Sequence, residues 1–571
     1  MISGTLHILG RVFQSLWIAG PIFDKELRVS SRRRRNYVLR FVYLLILILF
    51  LSLVWIASVQ STTSAGLQTV SQMAQAGKGI TTYIIWFEFC AIQIIAIIAL
   101  STAISDEINN RTLGTLMTTP INSFQIVMGK LLSKLLQLIL LLAISLPLLA
   151  IVRVFGGVPW DYVVAGLCIT LTTTIFLGSL SLFFSIFNRK AYVVIITTFL
   201  TAIMLFALLP FVAGFGWKAV TGHWPNDPVT AIIFCPNPYF TLFTKTINML
   251  EPRSAGAMPR AYWAIHCASI LVSSMLVLLL AVVFVRRAAL RQAVGQTATP
   301  RRIRRQARTG AHLPEMQTEP TTRYKRVKGP PVLWKELRSP LFGRRRLLTY
   351  ITVACAFIML LVSYGLFARE RMLDYRGTHM AYVIIFLFVG MLLSAVLPAT
   401  SISSEKEARS WPLLLSTTLT DRQIITAKFV GVLRRSLLAW SLLAGHLLFF
   451  TLTGFLHPIG LLQFGLLVTW SSVFLAGTGL YFSSRFKRTT AAVIANLATA
   501  GAIWVVTPLV IAVAAQIFSE GRALAAVCAD ANPLMHAICI VNAVANNGRV
   551  GNYDWLGLDD SRAVAATIWM C

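Results

Sequence analysis

Acidic side chains are scarce in this chain. Asp and Glu number 21 of 571 residues against 51 Lys and Arg, and charged residues make up only 13%. A soluble globular domain carries about 25% charged residues, so an ordinary soluble fold is excluded. The eight cysteines are scattered and form no C-x-x-C, and Cys90, Cys168, Cys267 and Cys355 sit inside apolar runs. A disulfide framework or metal site is not indicated. The glycine-rich phosphate loop G-x-x-x-x-G-K-[ST] is missing, and so are G-x-S-x-G, H-E-x-x-H and a carboxylate pair. No catalytic residue, metal or nucleotide cofactor is expected in the chain itself. Residues 1–36 lack the short apolar core and small-residue cleavage site of a secretory signal.

Apolar residues take the place of charge. They make up 56% of the chain, with mean hydropathy +0.72. Runs such as 37–58 reach the roughly 20 residues needed to cross a bilayer. Lipid offers the backbone no hydrogen-bond partner, so these runs must be helical. The expected fold is all-α, a polytopic transmembrane helix bundle. Spans are predicted at 37–58, 82–104, 126–152, 160–187, 191–215 and 262–285, then at 348–368, 380–402, 436–456, 460–484 and 491–514.

The net charge of +30 is unevenly placed. Residues 286–346 hold 17 Lys or Arg against Glu315, Glu319 and Glu336. Basic residues beside apolar spans mark the cytoplasmic side, and they favour anionic lipid. No nucleic-acid readout motif accompanies them. Residues 5–35, with Phe13, Leu16, Trp17 and Gly20 at helical spacing and a basic polar part, read as a helix on the cytoplasmic surface. A cytoplasmic N-terminus then puts Arg111, Arg189, Lys190, Arg286 and Arg287 inside. The multi-pass chain is expected in the plasma (inner) membrane.

The chain also repeats itself. Residues 103–130 align without a gap on 401–428 at an offset of 298, placing Glu107 on Glu405, Arg111 on Arg409, Leu116 on Leu414, Gln125 on Gln423 and Lys130 on Lys428. The same offset puts Pro210 on Pro508. PIFDKELR (21–28) matches PVLWKELR (331–338) at an offset of 310, and Asn237-Pro238 is echoed by Asn532-Pro533. The unit is far too long for a solenoid repeat; it is a duplicated membrane bundle. Three parts are expected: a first six-span repeat at 1–287, a basic linker at 288–329 and a second repeat at 330–571. The second repeat has only residues 561–571 for its last span. Eleven helical residues reach about 16 Å, roughly half the hydrocarbon thickness. That end is expected to be truncated or to remain at the outer surface.

The repeated loop resembles the corresponding segment in permease subunits of ATP-binding-cassette (ABC) transporters of the six-span exporter type. There the segment reads roughly Glu-x-x-x-Gly/Arg-Thr-x-x-x-Leu-x-x-x-Pro, followed by Gly-Lys at the third span. The first copy supplies Glu107, Arg111, Thr112, Leu116, Pro120, Gly129 and Lys130, and the second supplies Glu405, Arg409, Ser410, Leu414 and Lys428. The second departs at Thr418 and Ala427. The resemblance implies two permease halves fused in one chain, with each loop forming a coupling helix that docks on a separate nucleotide-binding ATPase subunit present in two copies. The implied docking residues are Glu107, Arg111, Thr112, Leu116, Glu405, Arg409, Ser410 and Leu414. The loop chemistry agrees: Leu113, Leu116, Met117 and Ile121 form an apolar face on a loop outside the bilayer. Within the spans Glu88, Gln93 and His446 are polar and are candidates for a transport pathway. The favoured reading of each is a hydrogen bond between helices. Two other functions remain compatible with the residues: an ion-coupled secondary transporter, or a membrane component of a secretion or motility assembly.

Overall fold

The computed structural model of the chain describes residues 20–31, 34–60, 67–109, 112, 121–154, 157–188, 190–251, 263–293, 329–338, 347–508, 510–511 and 532–545. Among them every regular element is a helix. The first repeat comprises α1 (Gly20–Ser31), α2 (Arg34–Gln60), α3 (Leu67–Leu100), α4 (Ser105–Asn109), α5 (Ser123–Val154), α6 (Trp160–Phe187), α7 (Ala191–Ile203), a π-helical turn (Met204–Leu208), α8 (Leu209–Thr221), α9 (Asp227–Phe234), α10 (Pro238–Leu250) and α11 (Trp263–Ala293). The second comprises α12 (Pro331–Arg338), α13 (Leu347–Arg369), α14 (Arg376–Ser401), α15 (Ser403–Glu407), α16 (Trp411–Leu415), α17 (Asp421–Leu452), α18 (Ile459–Arg485), α19 (Thr489–Gly501), a second π turn (Ala502–Val506) and α20 (Pro533–Val544). Ten helices are long and apolar enough to cross a membrane, and the described apolar stretch of α2, Tyr37–Leu49, is shorter.

Each expected span falls on a described helix, ten of the eleven as long apolar helices, and two helices begin fifteen residues early: α3 at Leu67 rather than 82, and the third span of the second repeat. The third span of the second repeat begins at Asp421, fifteen residues before the expected 436. Lys428, Arg434 and Arg435 depress the hydropathy of that stretch but do not end the helix. A capping box at Thr420 and Gln423 starts it, each side chain bonding the other's backbone N–H. In the first repeat Gln125 accepts from the Asn122 N–H in the same way (3.2 Å). Gly454, at φ 82°, turns the chain after α17. The expected surface helix at 5–35 is a helix over Gly20–Ser31, and α11 runs six residues past the expected boundary at 287. Residues 1–19, most of the linker (294–328) and 546–571 lie outside the described residues.

Both repeats break their fifth span in the same way, and the sequence explains why. Pro210 has no N–H to offer the carbonyl of Phe206 four residues before it, and Pro508 likewise fails Trp504. Each orphaned carbonyl lies in a π turn. Each accepts a hydrogen bond from a distant asparagine: Asn237 Nδ2 to Phe206 O at 2.7 Å, Asn532 Nδ2 to Trp504 O at 2.6 Å. The same asparagines cap α10 and α20 with their side-chain oxygens. One residue type thus starts a short helix and repairs a broken span, twice.

Lipid tails are as apolar as leucine, so packing and interhelical hydrogen bonds hold such a bundle. Ser181 donates to the Ile97 carbonyl at 2.7 Å and Trp440 to Ser394 at 3.2 Å, each worth about 0.6 kcal/mol by analogy with measured bundles. The repeats embrace reciprocally. The segment α7–π–α8 packs on α13 and α14, and α19 packs on α3. Phe215 meets Phe367 at 4.7 Å, and Lys218 pairs with Glu370 at 2.5 Å across this seam.

Candidate functional site

Lysine near the start of each third span gathers the repeated charges. Lys130 on α5 lies 2.9 Å from Glu107 of α4 and 3.4 Å from Glu26 of α1. Lys428 on α17 lies 2.8 Å from Glu405 of α15 and 3.0 Å from Glu336 of α12. One cation therefore ties a surface helix and a connecting loop to a span, in each repeat. Both lysines are buried, with side chains 8% and 2% exposed. A charge in such a place is costly unless it is paired, and two carboxylates supply the pairing. The surface helices bring the third partner because α1 lies along α5 and α12 along α17.

The second cluster is the fuller one. Arg435, two helical turns further along the same face of α17, also pairs with Glu336. Lys335 reaches Glu405 at 3.2 Å. Burial raises the Glu336 carboxyl, but the Lys428 and Arg435 charges outweigh it and hold the group below the usual carboxylate range. Gly431 makes the close approach possible: a Cβ there would stand 2.6 Å from the Glu336 Cβ. The corresponding positions in the first repeat are Gln137 and Ser133.

Beyond Glu405 the loop turns sharply. Arg409 sits at φ 56°, in the left-handed region that non-glycine residues seldom adopt. The Arg409 N–H bonds the Lys406 carbonyl (3.1 Å) and the Ser410 N–H bonds the Glu405 carbonyl (3.0 Å), the two bonds of a Schellman helix end. The Ser410 hydroxyl also donates to Glu405 O at 3.3 Å. The turn sends α16 away from the bundle. Leu413 and Leu415 are 71% and 52% exposed, Leu414 half-buried. Two more ties fix this loop. Ser483 Oγ accepts from the Ile402 and Ser403 N–H groups, both at 2.9 Å, and Glu407 accepts from the Thr489 N–H at 2.8 Å, capping α19.

The eight expected docking residues thus divide. Glu107 and Glu405 face inward, onto lysine. Thr112 donates its hydroxyl to Glu107 and belongs with it. Ser410 and Arg409 shape the turn, and Leu414 lies on the projecting helix. Arg111 and Leu116 lie outside the described residues. The surface helix acids Glu26 and Glu336 were absent from the sequence-derived set, although KEL recurs in both repeats at 25–27 and 335–337.

The three polar residues in the spans do not form one site. Glu88 accepts from Ser145 Oγ at 2.8 Å and Gln93 from the Tyr239 hydroxyl at 2.9 Å, both on α3. His446 belongs to the other repeat, where its Nδ1 meets the Tyr364 hydroxyl at 2.6 Å among Tyr382, His379 and Phe450. Each sits in an interhelical hydrogen bond. No cluster of three or more metal-ligating side chains occurs among the described residues.

A family model described as ABC-2 family transporter protein matches the chain over two overlapping regions, residues 21–372 and 269–553. No curated protein matches it.

Proposed function

The chain belongs to the ABC-2 transporter family, and from that premise we propose that it is the permease of an exporter in the plasma membrane, driven by a separate ATPase subunit in two copies. The basic end of the bundle, with α1, α12 and both repeated loops, faces the cytoplasm under the positive-inside rule. Each loop is a coupling element: the ATPase closes, the loops move, and the bundle alternates between inward and outward access.

The observation that carries this reading is the duplicated Glu–Lys–Glu cluster. A loop that merely joined two spans would need no buried cation shared with a surface helix. Here each loop is bonded to a lysine of a span that is itself paired with a surface helix, so force applied to the loop reaches both. The left-handed Arg409 adds to the case, since strained backbone persists where the surroundings over-determine it. The exposed leucines of α16 supply the apolar contact and the ion cluster supplies the stiffness. Glu107 and Glu405 therefore act by positioning the loops rather than by touching the ATPase.

Co-purification with the cognate ATPase tests this. Leu413→Asp with Leu415→Asp should abolish retention of the ATPase while membrane insertion stays intact. Glu107→Lys with Glu405→Lys should weaken it through loss of loop order. Unchanged retention and unchanged transport-linked ATPase activity in both variants would refute the coupling role.

A further inference from the structure

A cavity of about 610 Å³ lies between the two repeats at the basic end of the bundle, within the size range of small-molecule sites. Its walls come from α2, α3 and α5 of the first repeat and α19 of the second. Val38 and Val42, Ile95 and Ala99, Leu138 and Leu141, and Ile494 and Ala495 make it apolar. Its mouth is charged. Arg40, Lys134 and Arg488 line it beside Lys130, whose charge is engaged by Glu26 and Glu107, and Asp106 stands near Arg488.

The depth is consistent across three helices. From Lys130 to Leu141 on α5, from Asp106 back to Ile95 along the second span, and from Arg488 to Ala498 on α19, the lining spans ten or eleven residue-to-residue steps. At about 1.5 Å per residue this is about 16 Å. That is half of a hydrocarbon core of about 30 Å, the thickness of one leaflet. A cationic mouth over an apolar shaft one leaflet deep matches an amphiphile with an anionic head.

The opposite seam shows that this opening is specific to one side. There α7 packs directly on α13 and α14, with Val193, Ile196 and Phe199 against Leu393, Val396 and Leu397. At the offset of 298, Val193, Thr197 and Leu200 correspond to Ala491, Ala495 and Ala498. Three alanines of the cavity wall thus stand where α7 of the first repeat has larger side chains; of these only Ala491 corresponds to a residue of the closed seam, Val193.

We propose that this cavity binds one acyl chain of an amphiphile with a phosphate-bearing headgroup, with the phosphate at Arg40 and Arg488. Guanidinium groups match phosphate in geometry as well as charge. The site goes beyond the ATPase reading and does not depend on it, because the chain alone is tested. The test is native mass spectrometry of the full chain in detergent, titrated with phosphatidylglycerol. The triple variant Ala491→Val, Ala495→Thr, Ala498→Leu, which gives α19 the larger side chains of α7 and fills the cavity wall, should lower affinity at least about tenfold. Arg488→Glu changes an exposed side chain and should fold even if the triple variant does not; it too should lower affinity, by about tenfold. Dodecyl phosphate should compete and inorganic phosphate should not. Unchanged phosphatidylglycerol binding in Arg488→Glu or in a folded triple variant would overturn the proposal. So would displacement by inorganic phosphate alone, which would identify a free-anion site.

Discussion

The two ion clusters share a skeleton and differ in how firmly it is held. In the first repeat Lys130 meets two carboxylates, and Glu26 remains 24% exposed. In the second, Arg435 adds a second cation to Glu336, which is only 7% exposed, and Gly431 lets α12 settle closely on α17. Glu407 and Ser483 tie the second loop further, whereas their counterparts are Asn109 and Ser185, and Ser185 bonds its own helix at Leu182. The second loop departs further from the family pattern, at Thr418 and Ala427, yet among the described residues it carries the more ties. Duplication kept the three-way ionic core and let its supports diverge.

The largest effect should come from removing the shared cation. Lys428→Met leaves Glu336 and Glu405 without it in a buried setting, and breaking a buried pair costs about 3–5 kcal/mol. Lys130→Met should cost less, because Glu26 is better solvated. Thermal unfolding of the two variants in detergent measures the difference; equal losses would mean that the repeats are equally dependent on their clusters.

Next in size is Arg435→Gln, which gives the second repeat the first repeat's residue. Losing a hydrogen bond to a charged group costs about 1.5–3 kcal/mol. The same variant tests pH dependence. A carboxyl depressed in the folded state, as Glu336 is, contributes stability above its unfolded pKa and loses it as pH falls through the folded value. Acid should therefore weaken the parent, and Arg435→Gln should start to weaken at a higher pH. An identical acid profile in both would show that Arg435 does not hold Glu336 ionised.

Gly431→Ala should destabilise by about 1–3 kcal/mol through overpacking against the Glu336 Cβ. Ser133→Ala, its counterpart, should be nearly silent. A tolerated Gly431→Ala would mean that α12 can move away without loss. The smallest change in stability is expected for Arg409→Gly, which removes the side chain from a left-handed position and should be neutral or slightly stabilising. Reduced ATPase retention in that variant would assign the guanidinium a contact of its own.

The sequence exposed what the bilayer dictates. Spans were legible because each must be apolar over about 20 residues. The repeat was legible because polar letters recur at one offset. Glu107, Glu405, Lys130 and Lys428 were all visible in that alignment, but their convergence was not. Lys130 meets Glu26 across 104 residues and Lys428 meets Glu336 across 92, and no local pattern reports such a pairing. The early start of α17 is hidden for the same reason: its cations look like a loop until the partners of Lys428 and Arg435 are known. The π turns left a fuller trace, since Pro210 with Asn237 and Pro508 with Asn532 recur together. The seam cavity rests on alanines that look unremarkable beside other apolar residues.

The most direct test of the ionic clusters as the mounts of the coupling loops is ATPase retention by the double variant Lys130→Met, Lys428→Met. The chain should still insert in the membrane, and α16 should keep its exposed leucines. Retention of the ATPase should fall below that of either single variant, with the larger single loss from Lys428→Met. Full retention with full transport-linked ATPase activity in the double variant would contradict the account, because the loops would then engage their partner without being anchored.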